Sequence, residues 1–461
     1  MKKYSGKNRI NKVEATGDTL TGRGGLTPFV RYLSEVNIYG LLMQKFAFLR
    51  KSNKGQAVWN LFLQIFCFFY DGTSRHLSHF DQLKNDEGYA AAIENRPKDM
   101  ASSHTMKRFF KAFPVFAMGA FRWVLKRLFV WRLRVEQPDL IELTLDPMVM
   151  DNDEAPGRHG VQPTYKKVKG FQPLQLIWRG RIVDAIFRGG KKHGNSGQAA
   201  GNMLRDLVLL IRAEYRETVA IVVRLDSGFY DEELLLMLDA LGVGIVLSGK
   251  MYDGVKAQAE AASAEAWGEY DNGHQLWKYL EFGYRGNSWK RFWRAIYTRP
   301  VYEDGQGLLE FARPDNVILT NLGLNAKVLE HATTDQKETL PRVETIIAQH
   351  HQRGADELPH RGLKDFGFEQ LPFKRFAPNT AFYYCMLIAF FLFEAYKKDV
   401  LSEVLPITSY ATTVRRVALD FAGKIVRGSR GIALKIPRAI MEALKFERLW
   451  QRCNNPPPIL E

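Results

Sequence analysis

The stretch His350 to Lys364, HHQRGADELPHRGLK, sets Glu357 between Arg353 and Lys364 at offsets of 4 and 7 residues. On a helix of 3.6 residues per turn those offsets put all three side chains on one face. A solvated helix usually scatters its charges. A site that handles phosphodiesters instead sets a carboxylate for a divalent metal beside cations for the phosphate oxygens. In isolation the stretch also reads as an exposed, ion-paired helix, so its meaning depends on the rest of the chain.

Two other carboxylates stand where an α/β nuclease core puts them. Asp146 ends Ile141-Glu-Leu-Thr-Leu145, which alternates like a strand, and Asp226 ends Val219-Ala-Ile-Val-Val-Arg-Leu225, a run apolar enough for a strand buried on both faces. Catalytic groups in open α/β sheets gather at the carboxyl ends of strands. Asp146, Asp226 and Glu357 therefore form a candidate Asp, Asp, Glu set.

On these residues the chain resembles the bacterial insertion-sequence transposases of the DDE superfamily, whose catalytic domain has a ribonuclease-H-like, retroviral-integrase-like fold. The resemblance is carried by LTLD ending at Asp146, by VRLDSGFYDEEL around Asp226, and by the signature Tyr-x2-Arg-x3-Glu-x6-Lys. That signature reads His350, Arg353, Glu357, Lys364 here, with every spacing kept. Two positions depart from it. His350 stands in place of the tyrosine, keeping a hydrogen-bonding group but not the phenol. Pro359 follows the glutamate by two residues, between Gly354 and Gly362, and proline inside a helix costs on the order of 3 kcal/mol. Either the helix restarts near Pro359 with that residue in its first turn, or Glu357 and Lys364 no longer share a face.

A length of 461 residues is too much for one ordinary core and predicts several domains. The formal charge of +15 and pI near 9.5 favour polyanionic partners and salt-sensitive association with nucleic acid. A charge of that size fits a neutral sugar substrate poorly, which weighs against reading the paired acids as a glycosidase. Cys67, Cys385 and Cys453 lie far apart without metal-binding spacing, which predicts a reducing, cytoplasmic setting and no zinc site. No Walker loop is present, so ATP use is not indicated. The apolar runs Ala57 to Tyr70 and Ala381 to Phe393 are shorter than the roughly 18 residues that span a bilayer, and read as buried helices with no membrane partner.

The expected fold is multidomain α/β: a ribonuclease-H-like mixed sheet flanked by helices, interrupted by a mostly β insertion, with a helical amino-terminal DNA-binding domain. Residues 1–26 read as a basic flexible arm and 27–135 as the helical DNA-binding domain. Residues 136–250 and 330–400 read as the catalytic domain, 251–329 as the insertion, and 401–461 as a basic helical tail. The tail carries ten Lys and Arg against four acids after Ala411, a bias suited to DNA backbone contact. In the amino-terminal domain, Ser102 and Ser103 can cap a short helix that presents Lys107 and Arg108 outward and turns Phe109, Phe110 and Phe113 inward, as a helix-turn-helix recognition helix does. In the insertion, Trp289 sits in the turn Arg285 to Trp289, which should be exposed, and is the favoured ring for stacking an unpaired base. Asn195 or Ser196 is the expected cap of the Gln198 to Tyr215 helix, and Asp153 a reserve metal ligand.

Oxygen-only ligands favour hard cations, so Asp146, Asp226 and Glu357 are expected to hold two Mg²⁺ or Mn²⁺ ions. Arg353 and Lys364 are expected to bind phosphates, and His350 to orient a phosphate or base. The resemblance implies cleavage at terminal inverted repeats and strand transfer into target DNA, cut-and-paste transposition of an insertion sequence. It also implies a homodimer or larger multimer on double-stranded DNA. Two alternatives stay open: a ribonuclease-H-like nuclease that cuts without joining, and a decayed or repurposed DNA-binding protein.

Overall fold

A computed structural model of the protein describes residues 10, 12–50, 55–192, 198–301, 315–352, 357–429 and 431–459, with Glu357 described by its backbone alone. Nine strands build one mixed sheet: β1 (Leu140–Pro147), β2 (Leu174–Trp178), β3 (Arg181–Ile186), β4 (Ala220–Leu225), β5 (Gly244–Ser248), β6 (Gly268–Asp271), β7 (Leu276–Tyr284), β8 (Trp293–Pro300) and β9 (Asn316–Thr320). Their order is β6-β7-β8-β9-β5-β4-β1-β2-β3. The central strands β1, β4 and β5 are parallel, and every other pairing is antiparallel.

Local sequence accounts for much of this. The β2–β3 hairpin turns at Arg179 and Gly180, both at positive φ (45° and 80°), the two-residue geometry that matches the twist of the flanking strands. All six residues of β4 are buried. Their alternation divides them between two cores: Ile221, Val223 and Leu225 face the larger one, while Ala220 and Val222 join Val246, Ile296, Ile318, Ile346 and Ile347 on the other face. The mixed α/β arrangement expected from the sequence is what the chain adopts.

The region expected as a separate β insertion supplies β6 to β9, and these strands do not form a sheet of their own. Strand β9 pairs with β5 from Ile318↔Ser248 to Thr320↔Val246, so the antiparallel strands continue the central sheet outward.

On the larger core's side, the helix Phe376–Tyr396 packs against the helices Val58–Asp71, Ser103–Lys111 and Ala117–Glu136 and against β3. It extends the predicted apolar run at both ends. Together with the π-helical turn to Leu401 it is long and apolar enough to cross a bilayer, yet it lies buried inside the fold. Cys67, Cys385 and Cys453 are all buried free thiols.

The two terminal regions differ from expectation. Thr19–Thr21, read from sequence as part of a flexible arm, pairs with Gly423–Gly428, which forms a hairpin with Gly431–Lys435. The tail is thus not purely helical. Its helices Arg438–Ala443 and Phe446–Asn454 follow that hairpin, and the second packs on Leu26–Glu35. Gly25 makes the closure possible, because a Cβ there would lie 1.9 Å from the Ala418 carbonyl oxygen. Residues 1–9 and 11 lie outside the described residues, as do Asn195 and Ser196.

Candidate active site

Strands β1, β4 and β5 bring three side chains into line. Leu145 pairs with Leu225, and Leu225 with Leu247, so the next position on each strand gives a row of Asp146, Asp226 and Ser248 at the carboxyl edge of the sheet. Neighbouring strands lie about 4.8 Å apart, which makes the two aspartates adjacent. Asp226 also begins the short helical turn Ser227–Phe229, where its Oδ1 accepts from the Gly228 N–H at 2.8 Å. Ser248 Oγ lies 2.9 Å from His350 Nε2, fixing the Val343–His351 helix above the row.

Of the two arrangements that Pro359 allows, the structure takes the first, a helix with the proline in its opening turn. One helix ends at His351, and another runs from Glu357 to Phe366 with Pro359 as its third residue, in the first turn, where a proline's missing N–H leaves no bond unmade. His350 and Lys364 therefore sit on different helices, while Glu357 and Lys364, seven residues apart, still share a side of one. Arg353 and Gly354 lie outside the described residues. The second helix docks through Leu363 and Phe366, the latter 5.0 Å from Phe393 and 5.6 Å from Phe390. Lys364 Nζ is 2.8 Å from Glu369 Oε2.

A cleft of about 1050 Å³ opens above the row, lined among others by Asp146, Asp226, His350, His360 and Lys364. His360 Nδ1 lies 3.6 Å from Asp146 Oδ2, beyond hydrogen-bond length, and its buried Nε2 has no hydrogen-bond partner among the described residues. Burial first, then the Lys364 and Lys166 ammonium groups, pull the imidazole down to about 4, so it is neutral at pH 7. His351 is likewise lowered by burial and packs 4.5 Å from the Trp277 ring of β7.

Two carboxylates side by side among imidazoles and cations are a donor set for a hard divalent cation. Left alone, they repel each other. Among the described residues no group of three metal-ligating side chains converges. The helix that begins at Glu357 nonetheless sends Leu358, His360, Arg361 and Lys364 into the cleft that holds Asp146 and Asp226.

Other expected residues are placed as follows. Ser102 caps the Ser103–Lys111 helix by accepting from the Thr105 N–H. Lys107 and Arg108 are exposed, and Phe109, Phe110 and Phe113 are buried. Trp289 is half-buried rather than exposed, its ring 4.6 Å from that of Tyr230, because Glu232 accepts from the Lys290 and Arg291 N–H groups and draws the turn in. Asp153 is exposed and accepts from the Lys169 N–H, away from the cleft lining. Arg415, counted with the basic tail, is used internally, as is Lys424, which pairs with Asp18.

Sequence reasoning missed His360, Arg361, Tyr165 and Lys166, all of which line the cleft. The spacing of His360 three residues after Glu357 was a usable signal, since i and i+3 share a helix face. Tyr165 and Lys166 come from an irregular segment with no periodicity to read.

A family model described as transposase DDE domain group 1 matches residues 3–457. The solved piggyBac transposase synaptic complex with hairpin DNA is similar at 12% sequence identity, with a TM-score of 0.40, over 96% of this chain and 85% of that one. No curated protein sequence matches the chain.

Proposed function

The chain belongs to the transposase DDE domain group 1 family, and from that premise we propose that it cleaves DNA at the terminal inverted repeats of a bacterial insertion sequence and transfers the ends into target DNA. The observation that carries this reading is the pairing of Asp146 and Asp226 at register-matched ends of parallel strands, in a cleft shared with the helix that starts at Glu357. We read the sheet as the ribonuclease-H-like core, with the hairpin strands β2 and β3 on one side of β1 and the parallel strands β4 and β5 on the other.

Asp146, Asp226 and Glu357 would hold two Mg²⁺ or Mn²⁺ ions. When bound, such ions lower the pKa of a water or a DNA 3′-hydroxyl and stabilise the leaving oxygen of an in-line displacement. Lys364 and Arg353 bind flanking phosphates, with Lys364 exchanging Glu369 for phosphate. His350, braced by Ser248, orients the strand. His360, neutral and with an Nε2 that no described residue engages, can accept a hydrogen bond from a bound water or donate one to a phosphate, depending on its tautomer. Lys107 and Arg108 contact DNA outside the cleft, and Trp289 is the ring we assign to stacking on a base. The working form is a multimer on double-stranded DNA in the cytoplasm.

Asp226→Asn keeps the side chain's size and removes its charge. The variant is expected to bind element ends as the wild type does and to cut them at least about a thousandfold more slowly, the rate equivalent of several kcal/mol of transition-state stabilisation. Cleavage at the wild-type rate in Mg²⁺ would sink the assignment. A joining assay with pre-cut ends then separates transposition from cleavage alone.

A further inference from the structure

A second cleft, of about 760 Å³, is lined in part by the segment 370–375. Its lining gathers Arg75, Lys107, Lys111, Arg158, Lys374 and Arg375 from four stretches distant in sequence, and includes no Asp or Glu. Among the described residues Arg75, Lys107, Lys111, Lys374 and Arg375 make no ion pair. Arg158 spends one donor on Asn152 Oδ1 at 3.0 Å and is pulled down by burial. Lys107 does reach a carboxylate electrostatically, that of Asp81, but Asp81 is held by the Ser103 N–H and hydroxyl. Six cations converging on one groove repel one another. Such an arrangement persists at low cost only where a polyanion neutralises it.

The walls of this groove are fixed. Phe110, on the helix that bears Lys107 and Lys111, sits 5.6 Å from Phe373, and the Lys374 carbonyl accepts from the His159 N–H at 2.9 Å. Asn152, fully buried, joins the groove to the active site: its Oδ1 accepts from Arg158 and from the Leu371 N–H, and its Nδ2 donates to the Glu369 carbonyl. Glu369 is in turn the partner of Lys364. From Glu369 to Arg375 the backbone spans at most about 20 Å, and duplex DNA presents about a dozen phosphates over that length.

We infer that this groove grips the sugar-phosphate backbone of the duplex whose reactive strand occupies the Asp146–Asp226 cleft, without reading its bases. The second half of that statement rests on the function proposed above. Lys107 and Lys111 then act with Lys374 and Arg375 as a backbone clamp, because they face cations across a groove rather than standing free to enter a major groove.

The full chain, titrated in EDTA against a fluorescent mixed-sequence duplex over a series of salt concentrations, tests the clamp. Lys107→Gln with Lys111→Gln, and separately Lys374→Gln with Arg375→Gln, should each reduce the slope of log K against log salt by about 2. The loss should be the same on an unrelated duplex sequence. All four residues are exposed, so unchanged melting temperatures check the fold, and the two pairs lie on different segments. An unchanged slope in both variants would overturn the inference. So would a loss confined to one DNA sequence, or an RNA duplex of equal length bound as tightly and weakened as much. If Asp226→Asn cuts like the wild type while the slopes still fall, the catalytic reading fails and the groove stands. If cutting depends on Asp226 but the slopes do not move, the groove fails alone.

Discussion

Asp184 concentrates on one side chain much of the tie between the helical layer and the sheet. It is fully buried in β3 and accepts from Arg122 Nε and Nη2 at 2.8 and 2.7 Å. Asp184→Ala strands a largely buried guanidinium, which typically costs about 3–5 kcal/mol. Urea unfolding should show that loss as a lower midpoint at an unchanged slope. A change under about 1 kcal/mol would mean that water replaces the carboxylate. The same scale shows what sequence could reveal. Asp146 and Asp226 were legible because the first closes an alternating run and the second a continuous apolar one, each of which marks a strand end. His360 was not ranked beside them, since a lone imidazole carries no local sign of the burial that holds it neutral.

Among the elements, Arg415 has the widest reach. Its guanidinium donates to the carbonyls of Phe69 and Tyr70 at the end of the Val58–Asp71 helix, and to those of Asp365 and Phe366 at the end of the helix that begins at Glu357. One cation thus caps two helix carboxyl ends, where its charge also meets both dipoles favourably. Gly72, at φ 65°, closes the first helix in the left-handed region and leaves room, for a Cβ there would sit 2.4 Å from the Arg415 guanidinium carbon. Arg415→Ala should cost about 2–4 kcal/mol. Faster hydrogen exchange in the last turns of both helices, and not elsewhere, would identify the cause. The helix from Glu357 to Phe366 was half legible, since Pro359 favours a place in a first turn. The joining of β9 to β5 was not legible, because register between distant strands leaves no mark on either strand's own pattern.

Across the whole molecule, Glu136 collects charge from three regions. Its carboxylate lies within ion-pair distance of Arg132, Arg179, Arg181 and Lys398, and its side chain is 4% exposed. Burial alone would raise its pKa, but Arg181, Lys398 and Arg132 outweigh that and hold it at about 2, against 4.5 for an unperturbed glutamate. The folded value lies below the unfolded one, so this stabilisation is complete above pH 4.5 and is lost as the pH falls toward 2. It amounts to about 3 kcal/mol. Glu136→Gln should flatten that part of the acid unfolding curve, and a curve parallel to the wild type's would refute the linkage. The +15 charge was plain from composition, but the meeting of six cations in one groove was not, because they are brought together only by the folded chain.

The clasp of Thr19–Thr21 on Gly423–Gly428 sets when the molecule can be finished. The first strand leaves the ribosome well before its partner, so this closure must wait until Gly423–Gly428 has emerged. A message carrying a premature stop near codon 420 would yield a product whose Thr19–Thr21 edge has no mate, open to pairing with a neighbour of the same kind.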